Sequence, residues 1–308
     1  MLGAKDVQLA QLVDARDAAL LFAEAARIIA LNYGPSTAEA LRKTFHETRR
    51  LFEGRFPGYR ACNSEYHDLR HTLSVVLAAA RLLDGYNLKR QLLPPELAVD
   101  LLRAALLHDA GYIQESWDTE GTGAKYSRQH EQRSIAFLNR HHRVLGIAPE
   151  SLERLSRFIR STDLKEEFSA IPFAGHSERD AGAILGTSDL IGQMSDRDYL
   201  ERLLFLYYEF REAGIPGFQT EYDVLRKTGD FYLLTRRRLK ESYLNMYALA
   251  RAHFRERHGV DANLYMIAIS RQLGYLRKII RDESTNFRAK LKRGDPARRE
   301  QLSRRGPA

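Results

Sequence analysis

The chain has 308 residues, a formal net charge of +8 and one cysteine, Cys62, so it can bury a large core but has neither an internal disulfide nor a thiolate zinc cluster. From Arg288 onward eight lysines and arginines stand against Asp295 and Glu300; the rest of the chain is nearly neutral, which argues against a dedicated nucleic-acid surface on the fold. Glu24 and Arg27 interrupt the apolar stretch from Ala18 to Leu31, so no export signal or membrane span is expected, and a single cysteine suits a reducing cytoplasm.

Apolar residues recur at intervals of three and four, and alternating β-branched runs are scarce, so the expected fold is all-α. A first helix is expected over about 15–32, on Leu20, Leu21, Ala25, Ile28 and Ile29, with Gly34-Pro35 ending it. Ser36 and Glu39 then stand at capping-box spacing for the next helix. The turn-rich stretch 53–59 introduces a helix over about 67–83, with Val75, Val76, Ala79 and Leu82 as its buried stripe and His67 and His71 at its polar start. Pro94-Pro95-Glu96 opens the next helix, Gly111 lies where its C-terminal cap belongs, and His108 and Asp109 fall in its last turn.

Tyr112 to Ser127 reads as a loop able to line or cover a site, and helices follow at about 128–142 and 150–161. After a loop over 165–177, residues 179–185 lead into Asp189, and Tyr199 to Arg211 forms a further apolar-periodic helix. Beyond Gly214-Ile215-Pro216-Gly217, helices are expected at about 221–256 and, capped by Asp261, at about 262–284. The chain thus divides into N-terminal helices (1–54), a core (55–215), C-terminal helices (216–285) and a basic, disordered tail (286–308). Arg236-Arg237-Arg238 and His141-His142 read as solvated surface, and Cys62 as a small buried group.

The residues with chemistry stand out against these apolar patterns. His108-Asp109 closes the run Ala104-Ala105-Leu106-Leu107, and an imidazole beside a carboxylate offers a divalent cation one neutral and one anionic ligand. Two polar groups at a buried helix end need such a reason. His67 and His71 are four apart and point the same way on a helix, so one can bind metal while the other faces a substrate. Asp189, a lone acid between Ile184 and Leu190, supplies a fourth ligand. His130-Glu131 and Thr162-Asp163 are candidates for supporting the ligands or holding a second ion, although His130 and Asp163 equally suit helix caps. His176 has a lesser claim as a loop histidine.

In this order the residues resemble the HD-domain superfamily of metal-dependent phosphohydrolases, and within it the cyclic-nucleotide phosphodiesterase type. Tyr66-His67-Asp68-Leu69-Arg70-His71 is similar to the family's Tyr-His-Asn-x-x-His signature. Ala105-Leu106-Leu107-His108-Asp109 is similar to its His-Asp helix, and Ser161-Thr162-Asp163-Leu164 and Ser188-Asp189-Leu190 to its Thr-Asp and final Asp motifs. The likeness covers roughly residues 55 to 215, which would make that core catalytic. It implies a compact multi-helix bundle in which His71, His108, Asp109 and Asp189 hold one ion, Asp109 reaches a second, and His67 is the general acid.

The chain departs from the pattern at Asp68, where the family has Asn, and at Ala110-Gly111-Tyr112, where phosphodiesterases continue His-Pro-Gly. It also lacks an evident purine-selecting Gln; Gln193 and Phe218-Gln219 are the nearest stand-ins. The implied activity is hydrolysis of a small phosphoester, a nucleotide or related compound, with one or two ions of Mn, Fe, Zn, Co or Mg. Arg70, Lys125 and Arg128 are the nearest cations for its phosphate. A di-iron oxygenase and a nucleotide-binding sensor without turnover are the competing functions on this fold. The basic tail is the one segment suited to nucleic-acid phosphates, and the terminal helices suit either docking on the core or a homo-oligomer interface.

Overall fold

Asp17 opens the first long helix by accepting the amide hydrogens of Ala19 and Leu20 on its carboxylate, and helices then follow one another through the described residues. The computed structural model describes residues 7–282 and 286–293. The longer helices are α1 (Ala18–Tyr33), α2 (Arg42–Phe52), α3 (Leu69–Lys89), α4 (Pro95–Leu107), α5 (His130–Leu145) and α6 (Leu152–Arg160). They continue as α7 (His176–Met194), α8 (Tyr199–Glu212), α9 (Glu221–Glu241), α10 (Ala250–His258) and α11 (Leu264–Arg281). Among the described residues there is no strand, only an isolated antiparallel bridge between Tyr59 and Glu115, so the fold is all-α as expected. No described helix is long and apolar enough to cross a membrane.

The axle is α3. Leu73, Val75, Val76, Leu77, Ala78, Ala79, Ala80, Leu82 and Leu83 are all buried, well beyond the four-residue stripe expected for it. A helix apolar on every side belongs in the middle of a bundle. Accordingly α1, α4, α7 and α10 pack around it. One contiguous apolar cluster includes Leu21 of α1, Leu276 of α11 and Leu291 near the end of the described chain.

Several expected boundaries move, each for a local reason. The helix after α1 starts at Pro35 with Gly34 as its cap, which leaves Ser36 inside it and the Ser36–Glu39 capping box unformed. His67 is not on α3, because Asp68 is the N-cap and its carboxylate accepts the N–H of His71 at 2.9 Å. The helix expected over 221–256 breaks at Leu244 and Asn245, both with positive φ, before a short turn leads into α10. Asn263, not Asp261, caps α11, while Asp261 pairs with Arg251. Arg238, expected on a solvated face, donates to the carbonyls of Asp163, Leu164 and Glu166. Residues 286–293, expected in a disordered tail, are packed: Arg288 pairs with Glu221 at 2.6 Å, Leu291 is buried, and the Arg293 N–H reaches Glu201 at 2.7 Å. The rest of the expected tail, 294–308, lies outside the described residues.

Gly111 is not a left-handed helix cap. It sits in a 3-10 turn, Ala110–Tyr112, with no positive φ. A Cβ there would lie 2.0 Å from the carbonyl oxygen of His130 and 2.8 Å from its carbon, so the glycine is required by the close approach of α5. Gly111→Ala should cost at least about 1–3 kcal/mol through overpacking against backbone. Urea unfolding should show a lower midpoint with an unchanged slope; a wild-type midpoint would refute this account of the turn.

Candidate metal centre

The centre forms where the start of α3, the end of α4, the start of α5 and the middle of α7 converge. His71 lies in the first turn of α3, held by the Asp68 cap, and Asp68 is in turn paired with the buried guanidinium of Arg202 at 3.1 Å. His108 is the C-cap of α4, and Asp109 starts the turn that follows. The carbonyl end of a helix carries partial negative charge, so a cation is favoured there. Asp189 projects from α7 one turn before Gln193, whose amide donates to the Asp189 carbonyl at 3.1 Å and whose oxygen accepts from the Tyr66 hydroxyl at 2.7 Å.

The distances are those of a common focus. His71 Nε2 is 3.2 Å from Asp109 Oδ2 and 3.3 Å from Asp189 Oδ1. His108 Nε2 is 3.3 Å from Asp109 Oδ2 and 3.8 Å from Asp189 Oδ1. His71, His108 and Asp109 are buried and could hold a metal ion. Asp189 faces both imidazoles. On the far side of Asp109, His130 Nε2 lies 3.7 Å from Oδ1.

Tautomers explain why this cluster is unstable without a positive charge. The Nδ1 of His108 lies 2.9 Å from the Ala105 carbonyl, and the Nδ1 of His130 lies 3.1 Å from that of Ser127; a carbonyl can only accept, so both Nδ1 atoms carry the proton. Their Nε2 atoms face carboxylate oxygens. His108 Nε2 and Asp109 Oδ2 are buried with no hydrogen-bond partner among the described residues. Such orphaned atoms are costly unless a proton or a cation lies between them. Burial pushes the His71 imidazole down, yet the carboxylates of Asp109 and Asp189 overcome it and lift it to about 10. His108 is raised by the same opposition of burial and the Asp109 charge. The donor set of imidazole nitrogens and carboxylate oxygens fits a divalent ion of borderline hardness. No thiolate is at hand, since burial pushes the Cys62 thiol up to about 12.

Beside this focus three rings meet at Tyr112, which stacks on His67 with centroids 4.3 Å apart and on His130 at 4.5 Å. His67 Nδ1 meets Glu209 Oε2 of α8 at 2.6 Å, while Glu209 Oε1 accepts the Tyr66 N–H at 2.7 Å. The His67 ring is 5.7 Å from that of His71, so the two remain neighbours although no helix joins them. Neither Glu209 nor Tyr112 was among the residues singled out from the sequence. Glu209 carries the same signal that marked Asp189, an acid set among Tyr207, Tyr208 and Phe210 in an apolar helix.

The remaining candidates divide. Burial pushes the Glu131 carboxyl up to about 7, with Asp163 and Asp109 adding to it, and Oε2 lies 3.3 Å from His130 Nδ1. Burial holds His130 neutral, down to about 4. Thr162 donates to the Ile159 carbonyl, and Asp163 accepts the Lys165 N–H, so both close the end of α6. The three expected phosphate cations are engaged elsewhere. Arg70 pairs with Asp196 and Asp198, Lys125 with Asp118, and Arg128 donates to the Gly214 carbonyl. His176 is exposed at the start of α7.

Two family models match the chain. Residues 68–167 match the HD domain, and residues 173–266 match the family described as Npun_R2479-like. The first span holds His71, His108, Asp109, His130 and Glu131, and the second holds Asp189 and Glu209. No curated protein matches.

A resident ion should stabilise the fold by mass action, by about 2.7 kcal/mol at a hundredfold excess over Kd. It must displace a proton from the raised His71, so affinity should rise with pH between 6 and 9, below the value of about 10. In the ion-free protein the sign is opposite: the stability His71 gains from its carboxylates is full below its unfolded value of about 6.5 and is lost as pH rises through about 10. Thermal unfolding with Mn or Zn should show an upward shift that shrinks from pH 8 to pH 6 and vanishes in Asp109→Ala. Equal shifts in both proteins would remove Asp109 from the ligand set.

Proposed function

With residues 68–167 an HD domain, we propose that this chain is a metal-dependent phosphohydrolase that cleaves a small phosphoester, a nucleotide or a related compound. His71, His108, Asp109 and Asp189 would hold the ion, and His130, Glu131 and Asp109 would border a second. The bound ion supplies Lewis acidity, lowering the pKa of a water and neutralising phosphoryl charge. The single observation that carries this proposal is the pair of orphaned buried atoms, His108 Nε2 and Asp109 Oδ2, which face each other at 3.3 Å.

The other roles belong to the chain itself. The Glu209 carboxylate accepts the Nδ1–H of His67 and fixes the ring. Nε2 is then the position from which a proton passes to the departing alkoxide oxygen. The Ser127 carbonyl holds the His130 ring from its Nδ1 side, with the Glu131 carboxyl beside it. Asp68 and Arg202 clamp the segment bearing Tyr66 and His67, with Arg202 donating to the Tyr66 carbonyl.

Motif order supports the phosphodiesterase-like branch, but the nearest purine-selecting candidate does not. Gln193 is held between Tyr66 and Asp189. We therefore assign a phosphoester and not a cyclic nucleotide in particular. The His130–Asp109 contact equally suits a two-ion oxygenase, which would consume oxygen instead of releasing phosphate.

Phosphomonoesters, cyclic nucleotides, cyclic dinucleotides and nucleoside polyphosphates assayed with Mn, Mg, Fe and Zn should reveal at least one substrate. Against it, Asp109→Ala should lose both metal and activity. His67→Ala should retain metal while turnover falls roughly 10²–10⁴-fold, and Glu209→Gln should fall less steeply. Wild-type turnover in His67→Ala would remove its role as acid.

A further inference from the structure

We infer that Arg81 holds a small oxyanion, a phosphate or a carboxylate, in a buried site of its own, separate from the metal centre and independent of the activity proposed there. Arg81 follows His71 on α3, about 15 Å further along the helix. Its side chain is buried, as is that of Arg202, which pairs with Asp68; Arg81 has no carboxylate partner among the described residues. The atoms left without a hydrogen bond are Nε and Nη2, which share one edge of the planar guanidinium. Nη1, on the other side, makes a long contact with the Tyr265 hydroxyl at 3.3 Å. Two parallel N–H groups on one edge form the fork that grips two oxygens of a carboxylate or a phosphate.

The charges around Arg81 are already matched to others. One turn along α3, Asp84 accepts from Asn32 and from Arg257 Nη2, each at 2.8 Å, and meets His253 Nδ1 at 2.7 Å. On α1, Glu24 lies near enough to feel the Arg81 charge but grips Arg27 through both oxygens, at 2.7 and 2.8 Å. Arg27, Arg81 and Arg257 thus stand against Glu24 and Asp84, and Arg81 is the one without a mate. His253 and His258 of α10, with ring centroids 5.5 Å apart, also bury Nε2 atoms that have no partner. Burial pushes both imidazoles down and the Arg81 charge adds to it. The rings of Phe254 and Tyr265, centred 5.5 and 5.9 Å from Cζ, face the charge but offer the fork no lone pair. A water would accept from the fork and leave a buried charge unmatched, which is costly; an anion answers both needs.

Thermal unfolding of the full chain, dialysed into HEPES, tests the site with inorganic phosphate and acetate as probes. The wild-type midpoint should rise with the logarithm of the concentration of at least one of them, and the larger rise names the anion class. Arg81→Met, which keeps the stem and removes both charge and fork, should retain less than about a third of that rise. Arg81→Lys, which keeps the charge without the fork, should fall between the two. Wild-type crystals soaked with both anions provide a check that needs no variant: two oxygens should lie about 2.7–3.2 Å from Nε and Nη2. Equal rises in wild type and Arg81→Met, as the general exclusion of phosphate from protein surfaces would give, a wild-type midpoint that neither anion moves, or a lone water at the fork would each overturn the inference. None of these readouts involves turnover or metal, so their failure leaves the phosphohydrolase reading standing, and failure of that reading leaves this site untouched.

Discussion

Everything in this molecule is arranged around an electrostatic demand: two carboxylates and two imidazoles meet in a buried place away from water. Asp109 and Asp189 face His71 and His108 at 3.2–3.8 Å, and His108 cannot spare its Nδ1 proton from the Ala105 carbonyl. In water such crowding would be screened; inside a helical bundle it is not. The protein tolerates it only because a cation or a proton can settle the balance. The choice between them is set by pH and ion supply.

The scaffold meets that demand by rigidity. His71 is fixed by a capped helix start, His108 by a helix end, and Asp189 by mid-helix placement with Gln193 beside it. Ser134 of α5 locks the turn after His108, accepting from Gly111 N–H at 2.8 Å and donating to the His108 carbonyl at 2.6 Å. Around this inner set, Arg202 and Glu209, both on α8, hold the preceding loop from the opposite side. The ligand side and the acid side are thereby coupled, because Asp68 caps the helix of His71 while its partner Arg202 holds the Tyr66–His67 segment.

Much of this was legible in the sequence. Apolar periodicity placed the main helices, because burial of one face dominates their stability. The ligands were legible because polar residues in apolar runs need a compensating partner. What was lost depends on contacts that no local pattern encodes. The break at Leu244 and Asn245 goes with the burial of Tyr243, whose hydroxyl donates to the Ser161 carbonyl at 2.6 Å. Arg70 looked available for a phosphate because sequence gives no sign that Asp196 and Asp198 fold back onto it. Tyr112 read as loop because the rings it stacks on, His67 and His130, come from distant segments.

The separation of these segments along the chain bears on how the protein comes into being. The Tyr66 amide and the Glu209 carboxylate that anchors it are 143 positions apart, and α10, which flanks α3, begins only at Ala250. A growing polypeptide at the ribosome would expose the histidine-bearing segment long before its anchors emerge. Closure around the dyad therefore waits for these later segments, and a product truncated before Glu209 would carry His108 and Asp109 without that anchor.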